Sequence, residues 1–296
     1  MSTAGLTQEE VIKRSEALPV FPGVVNELLA TIDDPNANVK ILSTHVSRDP
    51  VLTGRVLAVA NAAAQSHGGK IIRDIHSAVT LIGLGKVRNL AIKSCINDFV
   101  KQSGVHHIAV SFYEHSVGVG ICAQEVATTV PAHVDTDFAL VSGLLHDIGQ
   151  LWLFRFKEDV FKSAWSEALQ HNIAIERSET TRFGIDHSVI GAWLAEYWRL
   201  PEQIIAAIRY HHEPENALPD ELVATLHVAE VLSNALDVSG RKENRVTTLS
   251  SAACDTIGLD WTSEETMSLF GRIEARCRLA SEFFEAHLND GPKMRT

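Results

Sequence analysis

The sequence predicts an all-α protein, a multi-helix bundle. Along most of the chain, apolar residues recur at intervals of three and four, which is the spacing of one face of an α-helix. Strand signals are scarce, since no Asn-Gly or Asp-Gly pair joins two alternating apolar runs as in a hairpin. Hydrophobic residues make up 45% of the chain and charged residues 21%, so a well-buried core is expected.

Charge and cysteine usage narrow the class of protein. The 37 acids and 26 bases give a net charge of −11, which disfavours nucleic-acid binding because that depends on neutralising phosphates with Lys and Arg. The N-terminal stretch MSTAGLTQEEVIKRSE lacks the apolar core of a signal peptide, and no apolar run is long enough to predict a membrane span. The four cysteines are widely spaced in apolar helical patterns, as is usual for reduced thiols. We expect a cytoplasmic protein without a membrane or nucleic-acid partner.

Local signals place the helices in order along the chain. Thr7 and Glu10 form a capping box for the first helix, and Pro50 is suited to the first turn of a later one. Broad apolar faces follow in three segments: IHSAVTLIGLGKVRNLAIKSCINDFV, SFYEHSVGVGICAQEVATTV and PDELVATLHVAEVLSNAL. Polar stretches near KQSGVHH and DVSGRKENRVTTLS suggest connections. We therefore expect three parts: a helical half over residues 1–104, a second half over 105–238, and closing helices over 239–296.

The second part holds a set of polar residues on apolar helical faces. Asp186 is a candidate cap for the helix that starts at His187, and Gly149 is a candidate helix stop. The full set is His115, His146, Asp147, His187, His211, His212 and Glu230.

The two acids carry the most information. A buried carboxylate costs several kcal/mol unless a cation compensates it. Neither Asp147 nor Glu230 has a Lys or Arg one helical turn away. A distant Arg would solve this, but a metal ion is the more economical partner, because imidazoles and carboxylates suit Fe, Mn, Zn or Ni. The sequence therefore predicts a site for one or two divalent transition-metal ions.

Each histidine alone has a simpler interpretation. A core-facing His such as His115 is usually a hydrogen-bonded core residue, and His211 and His212 at a helix end would complement the helix dipole. The concentration of the whole set on separate helices favours a shared site, which is a common arrangement in helical bundles.

The order His…His-Asp…His…His-His…acid resembles the HD superfamily of metal-dependent phosphohydrolases. The Asp49-Pro50 step, Asn61 and the block AVTLIGLGKVRNL sharpen this: the chain looks like an HDOD domain, the HD-related output domain of bacterial signalling proteins. The resemblance covers most of the chain and implies an HD-like bundle.

The resemblance also implies roles. His115 resembles the first metal ligand, and His146 with Asp147 the pair that names the superfamily and acts in catalysis where there is any. His187, His211 and His212 resemble the later histidines, and Glu230 stands where an Asp is usual. Three features depart from the cyclic-di-GMP phosphodiesterase branch, the first being Ser111, one turn before His115, where some dinuclear sites have a Glu. PENALPDE follows HHE where a Gly-Tyr-Pro motif is expected, and Gln150 takes the place of a phosphate-binding Lys.

Three functions are compatible with these observations. The favoured hypothesis is a bacterial regulatory module that acts through a signalling partner or a small phosphate-containing ligand, with a metal site that sets its conformation. The alternative is an active phosphohydrolase on a nucleotide or other phosphate ester, and a di-iron oxygenase is a third. A phosphohydrolase needs cations for its substrate. Arg182, Arg199 and Arg209 lie near the motif, but solvated helix faces are their more usual place.

Overall fold

The computed structural model confirms an all-α protein. It describes residues 5–19, 22–29, 39–47, 50–66, 71–104, 106–238 and 248–288, and in these ranges it contains helices and no β-strand. In chain order the helices are α1 Gln8–Ser15, α2 Gly23–Leu29, α3 Val39–Ser47, α4 Pro50–Ser66, α5 Ile75–Ile82, α6 Leu84–Gln102, α7 His106–Thr129, α8 Thr136–Leu145, α9 Ile148–Phe156, α10 Glu158–His171, α11 Ile175–Phe183, α12 His187–Tyr197, α13 Glu202–Tyr210, α14 Glu221–Ala235, α15 Ser251–Ile257 and α16 Glu264–Leu288. Within the described ranges, no helix combines the length and the apolar character that a bilayer crossing requires.

The chain divides into two compact units. The large unit comprises Met1–Leu18 with Gly104–Thr296, and the small unit comprises Pro19–Ser103. The division expected from the sequence differs in two respects. Helix α1 belongs with the second half of the chain rather than the first, and α15 and α16 belong to the same unit as residues 105–238.

Long-range contacts hold α1 in the large unit. The backbone N–H of Leu6 donates to the carbonyl oxygen of Phe183 at 2.8 Å. The indole N–H of Trp152 donates to the hydroxyl of Ser15, 137 residues away, at 3.1 Å. Thr7 caps the helix as predicted, with its side chain accepting from the N–H of Glu10 at 3.3 Å. A local reading of the sequence finds the cap but not the distant partners.

The small unit explains one of the residues singled out in the sequence. The Asn61 side chain donates to the carbonyl oxygen of Ile72 at 2.9 Å and accepts from the N–H of Ile72 at 2.7 Å, so it holds the segment before α5 against α4. Arg55 on α4 forms a two-pronged ion pair with Asp98 on α6, at 3.1 and 3.3 Å. Pro50 begins α4, while Asp49 lies outside the described residues.

A different pair of helices is clamped by arginines in the large unit. Glu125 on α7 is buried, and its two oxygens accept from Arg272 and Arg276 of α16 at 2.8 and 2.5 Å. Arg272 also donates to the hydroxyl of Thr129 at 2.6 Å. Because every oxygen of the carboxylate has a charged donor, this contact fixes α16 on α7 without needing a further partner.

The core of the large unit surrounds α8 and α9. Both helices are buried over almost their whole length, and Leu140, Leu144, Ile148 and Trp152 are among the largest fully buried side chains. Polar groups between these two helices therefore have to be compensated inside the protein, since water does not reach them.

Candidate metal centre

All seven predicted site residues converge in the large unit. His115 lies on α7, His146 and Asp147 between α8 and α9, His187 at the start of α12, His211 and His212 just after α13, and Glu230 on α14. Six of them are at most 6% exposed, and the side chain of His212 is 8% exposed. The set is therefore buried.

Two close helix approaches bring these side chains together. A Cβ atom on Gly143 of α8 would lie 2.5 Å from the Cα of Gly120, so α8 can touch α7 only because both positions are glycine. A Cβ atom on Gly149 of α9 would lie 2.0 Å from the carbonyl oxygen of His187. The glycines thus set the distances between α7 and α8 and between α9 and the start of α12.

The His146–Asp147 pair lies at a break between helices. Helix α8 ends at Leu145 and α9 begins at Ile148, while Asp147 has φ −94° and ψ 10° and makes no side-chain cap. The expectation that Gly149 stops the helix is wrong, because Gly149 lies inside α9 and serves the close packing instead. Since the Asp147 carboxylate does not cap α9, it is available to the histidines.

The two oxygens of Asp147 face different histidines. Oδ2 lies 3.5 Å from Nε2 of His115 and 3.4 Å from Nε2 of His146. Oδ1 lies 3.2 Å from Nε2 of His187 and accepts from the side-chain amide of Gln150 at 3.1 Å. Asp147 therefore lies between two groups of imidazoles, and each of its oxygens would be able to help hold a cation there.

The second acid, Glu230, lies beside His211 and His212. Oε2 of Glu230 is 4.0 Å from Nε2 of His211 and 3.7 Å from Nδ1 of His212. Nε2 of His212 also lies 2.9 Å from Nε2 of His187. These distances connect Glu230 to the same cluster as Asp147 through two imidazoles.

Three of the histidines are oriented through Nδ1. This atom lies 2.9 Å from the carbonyl oxygen of Gly143 in His146 and 2.7 Å from that of Ile208 in His211. In His187 it lies 2.6 Å from a carboxylate oxygen of Glu179. A carbonyl acceptor requires a proton on Nδ1 and a carboxylate acceptor favours one, which directs Nε2 toward the cluster. A second nitrogen tied in this way is the usual arrangement for a metal-binding histidine.

The pKa of Asp147 reflects its imidazole neighbours. Burial would raise it, but His146, His187 and His115 outweigh burial and hold the pKa of Asp147 well below its usual range. The carboxylate is consequently ionised and offers both oxygens to a cation.

The surroundings shift the pKa values of the histidines in opposite directions. Burial lowers the pKa of His187, but the neighbouring Glu179 and Asp147 carboxylates outweigh it and raise the pKa well above the ordinary value. Burial and the adjacent imidazoles hold the pKa of His211 and of His212 well below that value. His211 and His212 are therefore neutral imidazoles whose lone pairs suit a cation, and an ion that binds His187 has to displace a proton.

The residues fit a transition-metal ion. Their candidate ligand atoms form three groups, each with all its atoms within 4.8 Å of one another, and Asp147 belongs to two of these groups. Nε2 of the fully buried His211 has no hydrogen-bond partner among the described residues. A buried nitrogen without a partner is uncommon and suits a metal ligand, and mixed nitrogen and oxygen donors suit Fe, Mn, Zn or Ni.

Two supporting residues were not found in the sequence. Glu179 on α11 is fully buried and contacts His187, as described above. His227 on α14 lies with Nδ1 2.7 Å from the carbonyl oxygen of His211, and its Nε2 accepts from the N–H of Ser250 at 3.0 Å. Glu179 occurs in the polar stretch ERSETTRF, which looks like an exposed helix, although Phe183 one turn later marks the same face as buried.

Two of the three candidate phosphate-binding arginines are paired elsewhere. Arg182 donates to Glu167 at 2.7 Å, and Arg209 donates to Glu196 at 3.0 Å. Arg199 is exposed, with a positive φ of 58°. As expected from the sequence, the three arginines lie on faces that are partly or fully exposed to solvent.

Comparison with known proteins gives the family. The HDOD domain model matches residues 18–214. The fold is similar to that of an HDOD domain protein with unknown function from Geobacter sulfurreducens, with a TM-score of 0.73, 22% identity and 96% of each chain covered.

Two further solved structures share the fold. A putative signal transduction protein from Marinobacter aquaeolei VT8 has a TM-score of 0.72 and 23% identity, over 94% of this chain and 63% of that one. A putative phosphohydrolase from Shewanella amazonensis SB2B has a TM-score of 0.62 and 24% identity, over 89% of this chain and 97% of that one.

A curated relative, an uncharacterized protein from Treponema pallidum (strain Nichols), is 26% identical over an alignment of 238 residues that covers 77% of this chain. The match spans 44% of that relative, less than half its length. The family match covers more than half of the present chain and agrees with its fold. The chain belongs to the HDOD family.

Proposed function

We propose that this protein is a bacterial regulatory module in which a divalent transition metal, Fe, Mn, Zn or Ni, binds the buried cluster and sets the conformation that a signalling partner recognises. One observation carries the proposal: Nε2 atoms of three histidines are directed into the cluster by hydrogen bonds at Nδ1, next to an ionised Asp147. A cation would satisfy these lone pairs together with the carboxylates.

Burial and charge favour regulation over hydrolysis. The ligand atoms lie in side chains that are at most 8% exposed, so a substrate has little access to them. Arg182 and Arg209 are engaged by glutamates outside the cluster. At position 150 an uncharged amide contacts Asp147, where a lysine would have supplied a cation for phosphate. The signalling description of the Marinobacter neighbour agrees with this choice.

We also propose where in the cell the protein acts and what kind of partner it binds. The four cysteines are free and buried, which is in keeping with the cytoplasm. The partner would be a signalling protein, or else a small phosphate-containing ligand.

A metal-dependent phosphohydrolase is the second candidate, because the two oxygens of Asp147 face two groups of ligands and because the Shewanella neighbour is described as a putative phosphohydrolase. Bound metal would polarise a phosphoryl oxygen and lower the pKa of water. In that case Asp147 would hold the ions and orient the water, and His146 would fix the position of the Asp147 carboxylate. An oxygenase with two irons would use the same donors, and no separate observation favours it.

Elemental analysis of untagged protein tests the metal site. We expect near-stoichiometric transition metal in the wild type and its loss in His146→Ala and in His187→Ala, because each removes a buried ligand nitrogen. The control is His171→Ala, which removes an exposed histidine at the end of α10 and should leave the metal content unchanged. Circular dichroism establishes that each variant is folded. A folded wild type without metal, even after incubation with Mn²⁺, Fe²⁺, Zn²⁺ or Ni²⁺, overturns the proposal.

A phosphatase screen separates the two candidate functions. Metal-loaded protein is tested on nucleotides and other phosphate esters with added Mn²⁺ or Fe²⁺. The regulatory proposal expects no turnover above that of Asp147→Ala. Turnover that Asp147→Ala abolishes would replace the regulatory function with hydrolysis.

A further inference from the structure

Glu179 is a buried carboxylate outside the predicted ligand set. It lies on α11, is 0% exposed, and uses one oxygen, Oε2, for two contacts with the same residue. This oxygen accepts from the backbone N–H of His187 at 2.9 Å and lies 2.6 Å from Nδ1 of its ring. Both the backbone and the ring of His187 are therefore held by one carboxylate.

The position of His187 explains why this histidine needs a partner from another helix. His146 and His211 follow the C-terminal ends of α8 and α13, where the carbonyl oxygen three residues earlier is free to accept from Nδ1. His187 is the first residue of α12, and helix starts present N–H groups instead of carbonyl oxygens. Glu179 supplies the missing acceptor and also takes up the unsatisfied backbone N–H.

The same carboxylate is costly for the fold. Its second oxygen, Oε1, is buried and has no hydrogen-bond partner among the described residues. A half-satisfied buried carboxylate is a poor way to stabilise a core, which points to a role in the site.

We propose that Glu179 is a positioning residue that fixes His187 with Nε2 facing the cluster and strengthens this nitrogen as a metal ligand. The inference rests on the proposed metal site and deepens it. Of the three histidines tied at Nδ1, His187 alone has a carboxylate acceptor, whereas His146 and His211 have neutral carbonyl groups. A charged acceptor makes the opposite nitrogen more basic, so His187 would be the strongest of these three ligands.

The test compares Glu179→Gln with Glu167→Gln. The first substitution keeps the size of the side chain and removes its charge. Glu167 is a matched control, because it also accepts two hydrogen bonds at α11, from Ser178 at 2.6 Å and Arg182 at 2.7 Å, and it contacts no residue of the cluster in these bonds. Metal-free full-length protein is titrated with Mn²⁺ and with Zn²⁺ by calorimetry. We expect affinity to fall by about 10- to 100-fold in Glu179→Gln and to stay at the wild-type value in Glu167→Gln.

A spectroscopic readout separates positioning from general destabilisation. At Co²⁺ concentrations that saturate every variant, the visible absorption bands should shift in Glu179→Gln and match the wild type in Glu167→Gln. Should Glu179→Gln not fold, ¹⁵N NMR of the metal-loaded wild type decides: the proposal requires a proton on Nδ1 of His187 and none on Nε2, and a ring that binds through Nδ1 overturns it.

The outcomes distinguish this inference from the proposed function. Wild-type affinity and an unchanged Co²⁺ spectrum in Glu179→Gln overturn the role of Glu179 and leave the metal site in place. A wild type that binds none of Mn²⁺, Fe²⁺, Zn²⁺, Ni²⁺ and Co²⁺ refutes the metal site, and the role of Glu179 with it.

Discussion

Two buried carboxylates of the large unit, Glu125 and Asp147, are compensated in opposite ways. Glu125 accepts from the guanidinium groups of Arg272 and Arg276, which stay charged at any pH at which the protein folds. Asp147 is surrounded by imidazole nitrogens at 3.2 to 3.5 Å, and imidazoles can lose their proton near neutral pH.

The contact of Glu125 with arginines is structural, whereas the contact of Asp147 with imidazoles can respond to a bound cation. Arginine compensation is complete in itself, so the contact at Glu125 stabilises the packing of α16 on α7. The imidazoles at Asp147 can hand over the role of charge partner to a bound cation. A neutral imidazole gives its lone pair to the cation, and the cation then neutralises the carboxylate. Helix α7 takes part in both arrangements, through His115 at one and Glu125 at the other. We therefore expect metal to act at one carboxylate and not at the other.

The largest expected effect comes from removing the charge of Asp147. Asp147→Asn should weaken Mn²⁺ or Zn²⁺ binding by at least about 100-fold, the upper end of what the loss of an outer-sphere partner costs, because Asp147 supplies ligand oxygens itself. Glu125→Gln should leave the affinity unchanged. Calorimetric titration of metal-free protein measures both. Equal affinities in wild type and Asp147→Asn would mean that the imidazoles compensate Asp147 for stability alone.

The next prediction concerns stability, and it compares the close packing of α9 on α12 with an open position on α16. Gly149→Ala should lower the free energy of unfolding by about 3 kcal/mol, because its Cβ would overlap the carbonyl oxygen of His187 at 2.0 Å. Gly271→Ala on α16 is the control, since its Cβ meets nothing within 4 Å, and it should stabilise the helix by about 0.5–1 kcal/mol. Urea denaturation measures both. A neutral Gly149→Ala would show that α9 and α12 do not need their close approach.

The smallest expected effect is the contribution of the contact between Glu125 and its two arginines to the free energy of unfolding, and this contribution should depend on pH. Arg276 and Arg272 outweigh the effect of burial and lower the pKa of Glu125 below its ordinary value. Glu125→Gln should cost about 1 kcal/mol at pH 7, a figure reduced for the partial exposure of the arginines, 41% and 38%. Because the folded pKa is depressed, this stability is complete above the unfolded pKa of about 4.3 and is lost as pH falls through the folded pKa.

Urea denaturation of wild type and Glu125→Gln between pH 3 and 7 checks this dependence. The two proteins should differ at neutral pH and converge in acid. Glu158→Gln serves as the reference for an exposed ion pair. Glu158 lies 2.7 Å from Lys162, and this pair should contribute less than about 0.5 kcal/mol to the free energy of unfolding. A difference at Glu125 that persists unchanged to pH 3 would contradict the assigned direction of its pKa.

The sequence predicts the helices and the ligand candidates because both depend on local pattern. Polar residues on an apolar face are visible at three-to-four spacing, so His115 and Glu230 are found without knowing their neighbours. The cap at Asp186 is local as well, and its side chain accepts from the N–H groups of Ser188 and Val189.

What the sequence misses depends on contacts between distant elements. Glu179 is surrounded in the chain by Thr180, Thr181 and Arg182, so its local pattern is that of a solvated helix. It is buried because Gly184, with a φ of 77°, ends α11 just before α12 begins and brings Glu179 back to His187. The place of α1 is hidden for the same reason, since Ser15 and Trp152 are far apart in the chain.

The attachment of α1 has a practical consequence for dissecting this protein. Residues 19–103 are an insertion in the chain of the large unit, so a cut at residue 104 does not release that unit whole. Such a fragment would lose the hydroxyl that accepts from the indole of Trp152, a side chain only 1% exposed. A fragment that keeps the large unit intact needs residues 5–18 together with the chain from residue 104 onward.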